Sequence, residues 1–460
     1  MKLKFIASAC LLFAGYINSY GQVLTLQDAL HRTESQYDKI KAKQQVVDAS
    51  AQNTAFQKQQ YLPDFTLSAQ QSFGTINALH GPMYAYGGLG SAATSMPLAE
   101  QNWNAAFGSL YFANVNWNLF TFGRIKNQVE LGSKKELTAK ADLQQEVFQQ
   151  QIKVAAAYLN LLASQRVKYV QEKNTERAQI FYEMTLARAK SGLIPEVDAQ
   201  LAKAEWSNAK SLQIKAYDKE LMWSKQLADL MNDDFKTYKL DSLYSTTLPV
   251  KSMEITAIKV SDHPYLKFQQ TKIDESEQSV EVLKAHRKPN LSAFGVVQGR
   301  GSGFQSNYAQ DLSAYSTNYL KGVGIDRSNY LLGVSLTWNI TNLFRYNTKV
   351  KEQKYITQSL QYTFDAQQKE LNTLFHQANA QLKNAYDNFE ETKIQLGAAA
   401  LAYKQQTALY ENGLTTLVDY TQALFSLNRA EIDYEIAQNN VWQALLLLAS
   451  AQGNIQLLTP

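Results

Sequence analysis

Two stretches of 68 residues, 124–191 and 345–412, contain no proline and one glycine apiece, Gly132 and Gly397, and each runs directly into a Gly-Leu pair. As α-helices, at about 1.5 Å per residue, each would extend roughly 100 Å, several times the length of an ordinary globular helix. A compact domain cannot enclose such elements. In the second stretch Leu371, Phe375, Ala378, Leu382, Ala385, Phe389, Thr392, Leu396, Ala399, Tyr403, Gln406 and Tyr410 recur at alternating steps of four and three, and only Thr392 and Gln406 of them are polar. That is a coiled-coil seam. Phe148, Ile152, Ala155, Leu159 and Leu162 repeat the step in the first stretch, with Gln, Asn, Lys and Glu on the other faces. Narrow seams with wet flanks fit helices that meet water on two sides.

The chain is written twice. Pro63-Asp64-Phe65 matches Pro289-Asn290-Leu291 at an offset of 226 residues, and Trp117-Asn118, Arg124, Val129, Gly192-Leu193 and Val197-Asp198 match Trp338-Asn339, Arg345, Val350, Gly413-Leu414 and Val418-Asp419 at 221. Two copies make a duplicated unit and not a solenoid array. Each copy reads as helix, strand, loop, strand, very long helix, turn and return helix. The expected map is a first repeat over 22–232, with strands near 65–73 and 109–120, long helix 124–191 and return helix 197–232. A linker over 233–260 follows, then a second repeat over 261–460, with strands near 290–299 and 330–340, long helix 345–412 and return helix 418–452.

The strand candidates lack charge. No Asp, Glu, Lys or Arg occurs in 65–73, 101–123, 290–299 or 328–344. Tyr111, Ala113, Val115, Trp117 and Leu119 alternate with Asn114, Asn116 and Asn118; Leu332, Val334, Leu336, Trp338 and Ile340 alternate with Gly333, Ser335, Thr337 and Asn339; Phe65, Leu67, Ala69 and Phe73 follow the same rule. Only 291–297 is ambiguous in phase. An uncharged strand of about ten residues, apolar on one face and polar on the other with aromatics near its ends, is what a lipid-facing barrel requires. The Gly-, Ser-, Tyr- and Asn-rich segments 74–108 and 300–327 would be its extracellular loops, and the glycines Gly299, Gly301 and Gly303 read as part of a mobile loop rather than a phosphate loop. Four strands cannot close a barrel, and open edges in lipid leave backbone groups unsatisfied at several kcal/mol each, so the chain must oligomerise. Two copies would supply eight strands and a filled interior; a conduit favours three or more.

Lys2 and Lys4 precede the apolar run 5–17, and Ser19-Tyr20-Gly21 offers small residues for cleavage, so residues 1–21 read as a signal peptide. The single cysteine, Cys10, lies inside that leader, which suits an exported protein that uses neither disulfides nor metal thiolates. Forty-five basic residues against 41 acidic give no electrostatic case for nucleic acid. The polarity comes largely from neutral side chains, glutamine alone occurring 45 times. His31, His80, His263, His286 and His376 show no metal-ligand spacing, and neither a nucleophile-elbow nor a P-loop motif occurs. No enzyme activity, cofactor or metal is expected.

Taken together, the Leu24-Thr25-Leu26-Gln27-Asp28-Ala29-Leu30 opening, the Leu62-Pro63 strand entry, the Trp117-Asn118-Leu119-Phe120 hairpin exit, and the two Gly-Leu turns each followed six residues after the glycine by aspartate resemble the TolC-like outer-membrane efflux protein family across the mature chain. The resemblance implies a mostly α fold with a membrane β-barrel portion. A homotrimer would contribute four strands per chain to one twelve-stranded barrel, continued by a periplasmic α-helical coiled-coil tube. It implies the exit duct of a tripartite efflux or secretion system in the outer membrane of a Gram-negative bacterium, with a large periplasmic portion. The duct would be passive, surrounded by outer-membrane lipid, and opened at its tip by a periplasmic adaptor protein coupled to an inner-membrane pump. By the same resemblance Gly192, Leu193, Gly413 and Leu414 form adaptor-docking tips, Asp198 and Asp419 a lumen-facing cation ring, and Tyr410 part of a hydrogen-bond network closing the tip. Here Thr415 stands where that network has an arginine, Gln422 where it has a second aspartate, and Tyr37-Asp38 where the first helix commonly has Asn-Pro, whereas the second copy keeps His263-Pro264. The alternative is a periplasmic coiled-coil scaffold without a pore, which explains the seams but not the four uncharged segments.

Overall fold

A computed structural model describes residues 23–78, 96–249 and 262–458. The expected signal peptide and part of the expected linker lie outside the described residues. The chain divides into two compact units, one drawn from 1–49, 136–274 and 358–460, the other from 50–135 and 275–357.

The first unit is helical. Helix α1 (Leu26–Gln36) opens with a capping box in which the Thr25 hydroxyl accepts from the Asp28 amide and the Asp28 carboxylate accepts from Thr25. This gives the opening motif a mechanical meaning, because two orphan donors of the first turn are satisfied. Tyr37 then leaves the helical region (φ −68°, ψ 119°) before α2 (Asp38–Gln59) begins, so the break needs no proline. Helices α3 (Arg124–Lys190) and α4 (Glu196–Met231) form the first long hairpin; α5 (Leu243–Thr246) and α6 (Pro264–Ala285) precede the second copy's hairpin of α8 (Thr341–Glu411) and α9 (Leu417–Gln452). Pro264 occupies the first turn of α6, where its missing N–H costs nothing, and His263 before it accepts from the Tyr265 amide. The core of this unit packs Leu26, Val154, Tyr158, Leu159, Leu227, Leu382, Phe389, Trp442, Leu445 and Leu448 together. Its polar ends are satisfied: the Tyr158 hydroxyl donates to Leu24 O at 3.0 Å and the Trp442 indole to Thr247 O at 3.1 Å. Every member of the second-copy seam is buried or half-buried, and none is exposed.

The second unit holds a four-stranded antiparallel sheet in the order β1 (Asp64–Thr75), β2 (Ala105–Phe120), β3 (Asn290–Ser302), β4 (Arg327–Thr337). Its register sorts the faces. Phe65 opposes Val115, Leu67 opposes Ala113 and Ala69 opposes Tyr111; Ala113 in turn opposes Val297, and Val297 opposes Tyr330. Leu332, Val334 and Leu336 continue this apolar face through Gly295, Ala293 and Leu291. Asn114 and Asn116 lie on the reverse face beside Val296 and Phe294, which settles the phase of β3. Phe294 is accommodated there because its partner is Gly333, whose absent Cβ would meet the ring at 2.5 Å. Leu67, Leu332 and Leu336 on the apolar face are 71%, 73% and 65% exposed, an arrangement that water would oppose over so continuous a patch.

The duplication is visible in one repeated bond. The Trp117 indole donates to Tyr61 O at 2.9 Å, and the Trp338 indole donates to Arg287 O at 3.0 Å. The two copies part company just beyond. The first turns into α3 through Phe122 (φ 49°) and Gly123 (φ 93°), whereas β4 stops at Thr337 and Asn339 and Ile340 already accept the first helical hydrogen bonds, from Asn342 and Leu343. The sheet therefore ends three residues before the expected 340, and α8 starts four before the expected Arg345.

The segment between β3 and β4 differs from a mobile loop. Gly299 and Gly301 belong to β3, helix α7 (Tyr319–Val323) folds onto the sheet, and a Cβ on Gly301 would lie 1.9 Å from Gly324 O. These glycines serve close approach rather than freedom.

Candidate functional site at the helical turns

Each long helix ends in the same backbone device. Gly192 (φ 72°) and Gly413 (φ 74°) take the left-handed conformation. Leu193 N then donates to Arg188 O at 3.0 Å and Leu414 N to Leu409 O at 2.9 Å, closing Schellman turns over the last carbonyls. A Cβ on either glycine would meet nothing within 4 Å, so the torsion and not space demands glycine. The residues that follow face outward: Leu193 and Leu414 are 72% and 73% exposed, and Val197 and Val418 are exposed as well. Both copies thus present the same small apolar pair at the turn.

The aspartates six residues after the glycines are not equivalent. Asp419 is the third residue of α9, and its Oδ2 accepts from the Thr416 hydroxyl at 2.6 Å, the Thr415 hydroxyl at 3.2 Å and the Thr416 amide at 3.4 Å, while its own amide donates back to Thr416 Oγ1. The Thr416 hydroxyl first, then its amide and the Thr415 hydroxyl, hold the Asp419 carboxyl below the ordinary carboxylate range. In the first copy Pro195 occupies the capping position and offers no side-chain bond. Asp198 has no hydrogen bond or ion pair through its side chain among the described residues, although it stands in the first turn of α4, where the helix dipole favours it. Thr415 thus serves the cap of α9, and Gln422 is exposed.

Tyr410 is 5% exposed and packs with Phe181, Ala202, Leu417, Tyr420 and Leu424. Phe181 stacks on Tyr420 with centroids 4.0 Å apart and lies 5.3 Å from Tyr410. The Tyr410 hydroxyl is buried without a hydrogen-bond partner among the described residues, whereas the hydroxyls of Tyr403 and Tyr420 share a bond at 3.0 Å. Burial, followed by that bond, pushes the Tyr420 pKa up. Within one chain, then, Tyr410 contributes its ring, and the hydroxyl pairing in this cluster belongs to Tyr403 and Tyr420.

Sequence reasoning missed a stripe of arginines on α3. Arg166, Arg177 and Arg188 are spaced by eleven residues, three turns of helix, and so share a face. Arg166 makes a bidentate pair with Glu435 (3.0 and 2.7 Å) and Arg177 with Glu431 (2.8 and 2.5 Å). Burial works against the Arg177 charge and Glu431 outweighs it, leaving its pKa above the ordinary value. Arg188 reaches the end of α8, donating to Tyr410 O at 2.9 Å and Glu411 O at 3.1 Å while its guanidinium sits 5.5 Å from the Tyr410 ring centroid. Those carbonyls sit at the negative end of the helix dipole. The only available signal was the eleven-residue spacing.

The outer membrane efflux protein family model matches residues 29–233 and 261–454. The chain belongs to the outer membrane efflux protein family. Its two matched stretches carry the two copies. Among solved structures, the chain superposes on CusC with TM-score 0.75 at 12% identity, covering 93% of this chain and 92% of that one. For the outer membrane channel CmeC of Campylobacter jejuni the values are 0.75 and 14%, covering 93% and 85%. For the outer membrane channel MtrE of Neisseria gonorrhoeae they are 0.72 and 15%, covering 93% and 89%. No curated protein sequence matches the chain. This member of the family is an outer-membrane efflux channel, its sheet a share of the membrane barrel and its long helices the periplasmic portion.

Proposed function

We propose that three copies of this chain assemble into the exit duct of a tripartite exporter, and that the two Gly-Leu turns form the periplasmic tip that an adaptor protein engages. The observation that carries the reading is the four-stranded sheet whose outer strands β1 and β4 each keep an edge unpaired among the described residues, beside a continuous exposed apolar face. In lipid those edges require partners, and identical neighbours supply them by closing β4 of one copy on β1 of the next. Three copies give twelve strands and a lumen wide enough to conduct. A poreless coiled-coil scaffold would leave that apolar face without a purpose.

At the tip, the exposed Leu193 and Leu414 offer the docking contacts that Gly192 and Gly413 position. Asp198, unengaged among the described residues of its own chain, is the stronger element of a cation-attracting ring; Asp419 keeps only Oδ1 for that role, since Oδ2 is committed to the cap of α9. The duct itself is passive and draws its energy from an inner-membrane pump. Recordings in planar bilayers test both parts. Purified protein forms cation-preferring pores whose reversal potential in a salt gradient moves toward zero in Asp198→Ala and moves less in Asp419→Ala. An unchanged reversal potential in both variants removes the ring, and failure to form any pore removes the duct. For docking, Leu193→Asp with Leu414→Asp abolishes export in cells while barrel assembly stays intact; preserved export contradicts the tip assignment.

A further inference from the structure

The lipid-facing side of the sheet has a gap in it that α7 fills. Trp117 marks the periplasmic end of the apolar face, and Tyr111 lies six residues further along β2. At about 3.4 Å per residue and a tilt near 40°, that span is only about 16 Å of height, short of the roughly 25 Å that a barrel's apolar band needs. Continuing to Phe107, ten residues from Trp117, gives about 26 Å. Between Tyr111 and Phe107, however, the same face carries Gln71 and Ser109, which oppose one another in the register. Left bare, both would meet hydrocarbon.

Helix α7 covers them. Ser109 Oγ and the Tyr111 hydroxyl both donate to Val323 O at 3.1 Å, the Tyr319 hydroxyl donates to Gln71 Oε1 at 2.6 Å, and Gln71 Nε2 donates to the Tyr111 hydroxyl at 2.8 Å. Every polar group of the notch is thereby paired within the chain. The fit is close: the Tyr319 ring lies edge-on to Phe107 at 5.1 Å, and a Cβ on Gly322 would lie 2.4 Å from the Cβ of Phe107. What α7 and the residue just past its cap turn outward is apolar, with Leu320 76% exposed and Ile325, packed on Gly299, 60% exposed. Lys321 stands beside them, also exposed.

We infer that α7 is a membrane-seated cover. It completes the lipid-facing band at the extracellular end, with Leu320 and Ile325 against the acyl chains of the outer leaflet and Lys321 among headgroup phosphates. A small helix clamped to the sheet by three hydrogen bonds has no need of a Leu at this exposure in water, and its position continues the apolar face of the sheet. The inference rests on that face being lipid-exposed, and the test separates the two claims.

The experiment places single cysteines in a Cys10→Ser background at Leu320, at Val334 on β4 as the lipid reference, and at Ser191 as the water reference. Each is labelled with a nitroxide in the full-length assembly in liposomes, and its collisions with oxygen and with a water-soluble nickel chelate are measured. The oxygen-to-nickel ratio at 320 is expected to match that at 334 and exceed that at 191 by roughly tenfold, because hydrocarbon excludes the polar probe. A lipid-like ratio at 334 with a water-like ratio at 320 overturns the cover while leaving the barrel standing. Shielding of 320 from both probes also overturns it, and assigns the site to a neighbouring copy. A water-like ratio at 334 overturns the lipid-facing sheet and the cover together.

Discussion

Removing the Tyr410 hydroxyl should strengthen the tip rather than loosen it. The hydroxyl is buried and unpartnered among the described residues of one chain, and a buried polar group without a partner costs about 1–3 kcal/mol. Tyr410→Phe keeps the ring against Phe181 and Tyr420 and the Arg188 guanidinium near its face. The expected gain is about 1 kcal/mol, roughly fivefold slower local opening. Tyr410→Ala instead removes an aromatic ring from a packed cluster, a loss of about 3–5 kcal/mol, and should speed opening by more than about a hundredfold. Tyr420→Phe breaks the bond with Tyr403 and should cost about 1 kcal/mol. Amide hydrogen exchange over residues 403–424, measured on the folded assembly in detergent, reads all three. If Tyr410→Phe exposes these amides as strongly as Tyr410→Ala, the hydroxyl has a partner that one chain does not supply, and Tyr410 is a lock after all.

Gly192→Ala and Gly413→Ala should each destabilise their turn by about 1 kcal/mol through torsion alone, with Asn milder than Ala; thermal melting checks this, and a large loss would mean that space and not φ is limiting. Asp419 should make the first turn of α9 acid-sensitive. Its folded pKa is depressed, so its stabilisation is present above the ordinary carboxylate pKa and is lost as pH falls through the folded value. Exchange protection of residues 417–420, corrected for intrinsic rates, should fall over that window in the wild type and stay flat in Asp419→Asn. Trp117→Phe and Trp338→Phe should each remove one indole-to-carbonyl bond, costing about 1 kcal/mol apiece; equal losses in melting experiments would show the two copies bearing equal load, whereas no loss from either would remove the bond from the stability account.

Much of this architecture was legible because it is periodic. The four-three step of the α8 seam is a property of sequence spacing, and all its members turn out to be buried or half-buried. The charge-free segments locate all four strands because hydrocarbon excludes charge, and Asp64, Arg300 and Arg327, at strand ends, are the only charged residues inside them. What was hidden depended on distant pairing. The phase of β3 follows from its neighbours, since Phe294 and Val296 look as apolar as Leu291 until the register sets them beside asparagines. The covering role of α7 needed the fold to bring Val323 onto Ser109 across 214 residues of chain. At the tip, the two aspartates occupy matching positions in the repeats, but Pro195 and Thr416 give them different work, a difference carried by the residue three before each. Arg188 escaped notice because its acceptors are backbone carbonyls, which no side-chain pattern announces.

In the proposed assembly three open-edged sheets close into one barrel, and the long helices supply the duct. Electron microscopy with a mass determination on the detergent-purified mature protein tests it most directly. The expected particle is a three-fold tube of three chains, extending roughly 100 Å beyond its detergent belt as helices of this length allow. A detergent-independent monomer or dimer with no barrel would contradict it.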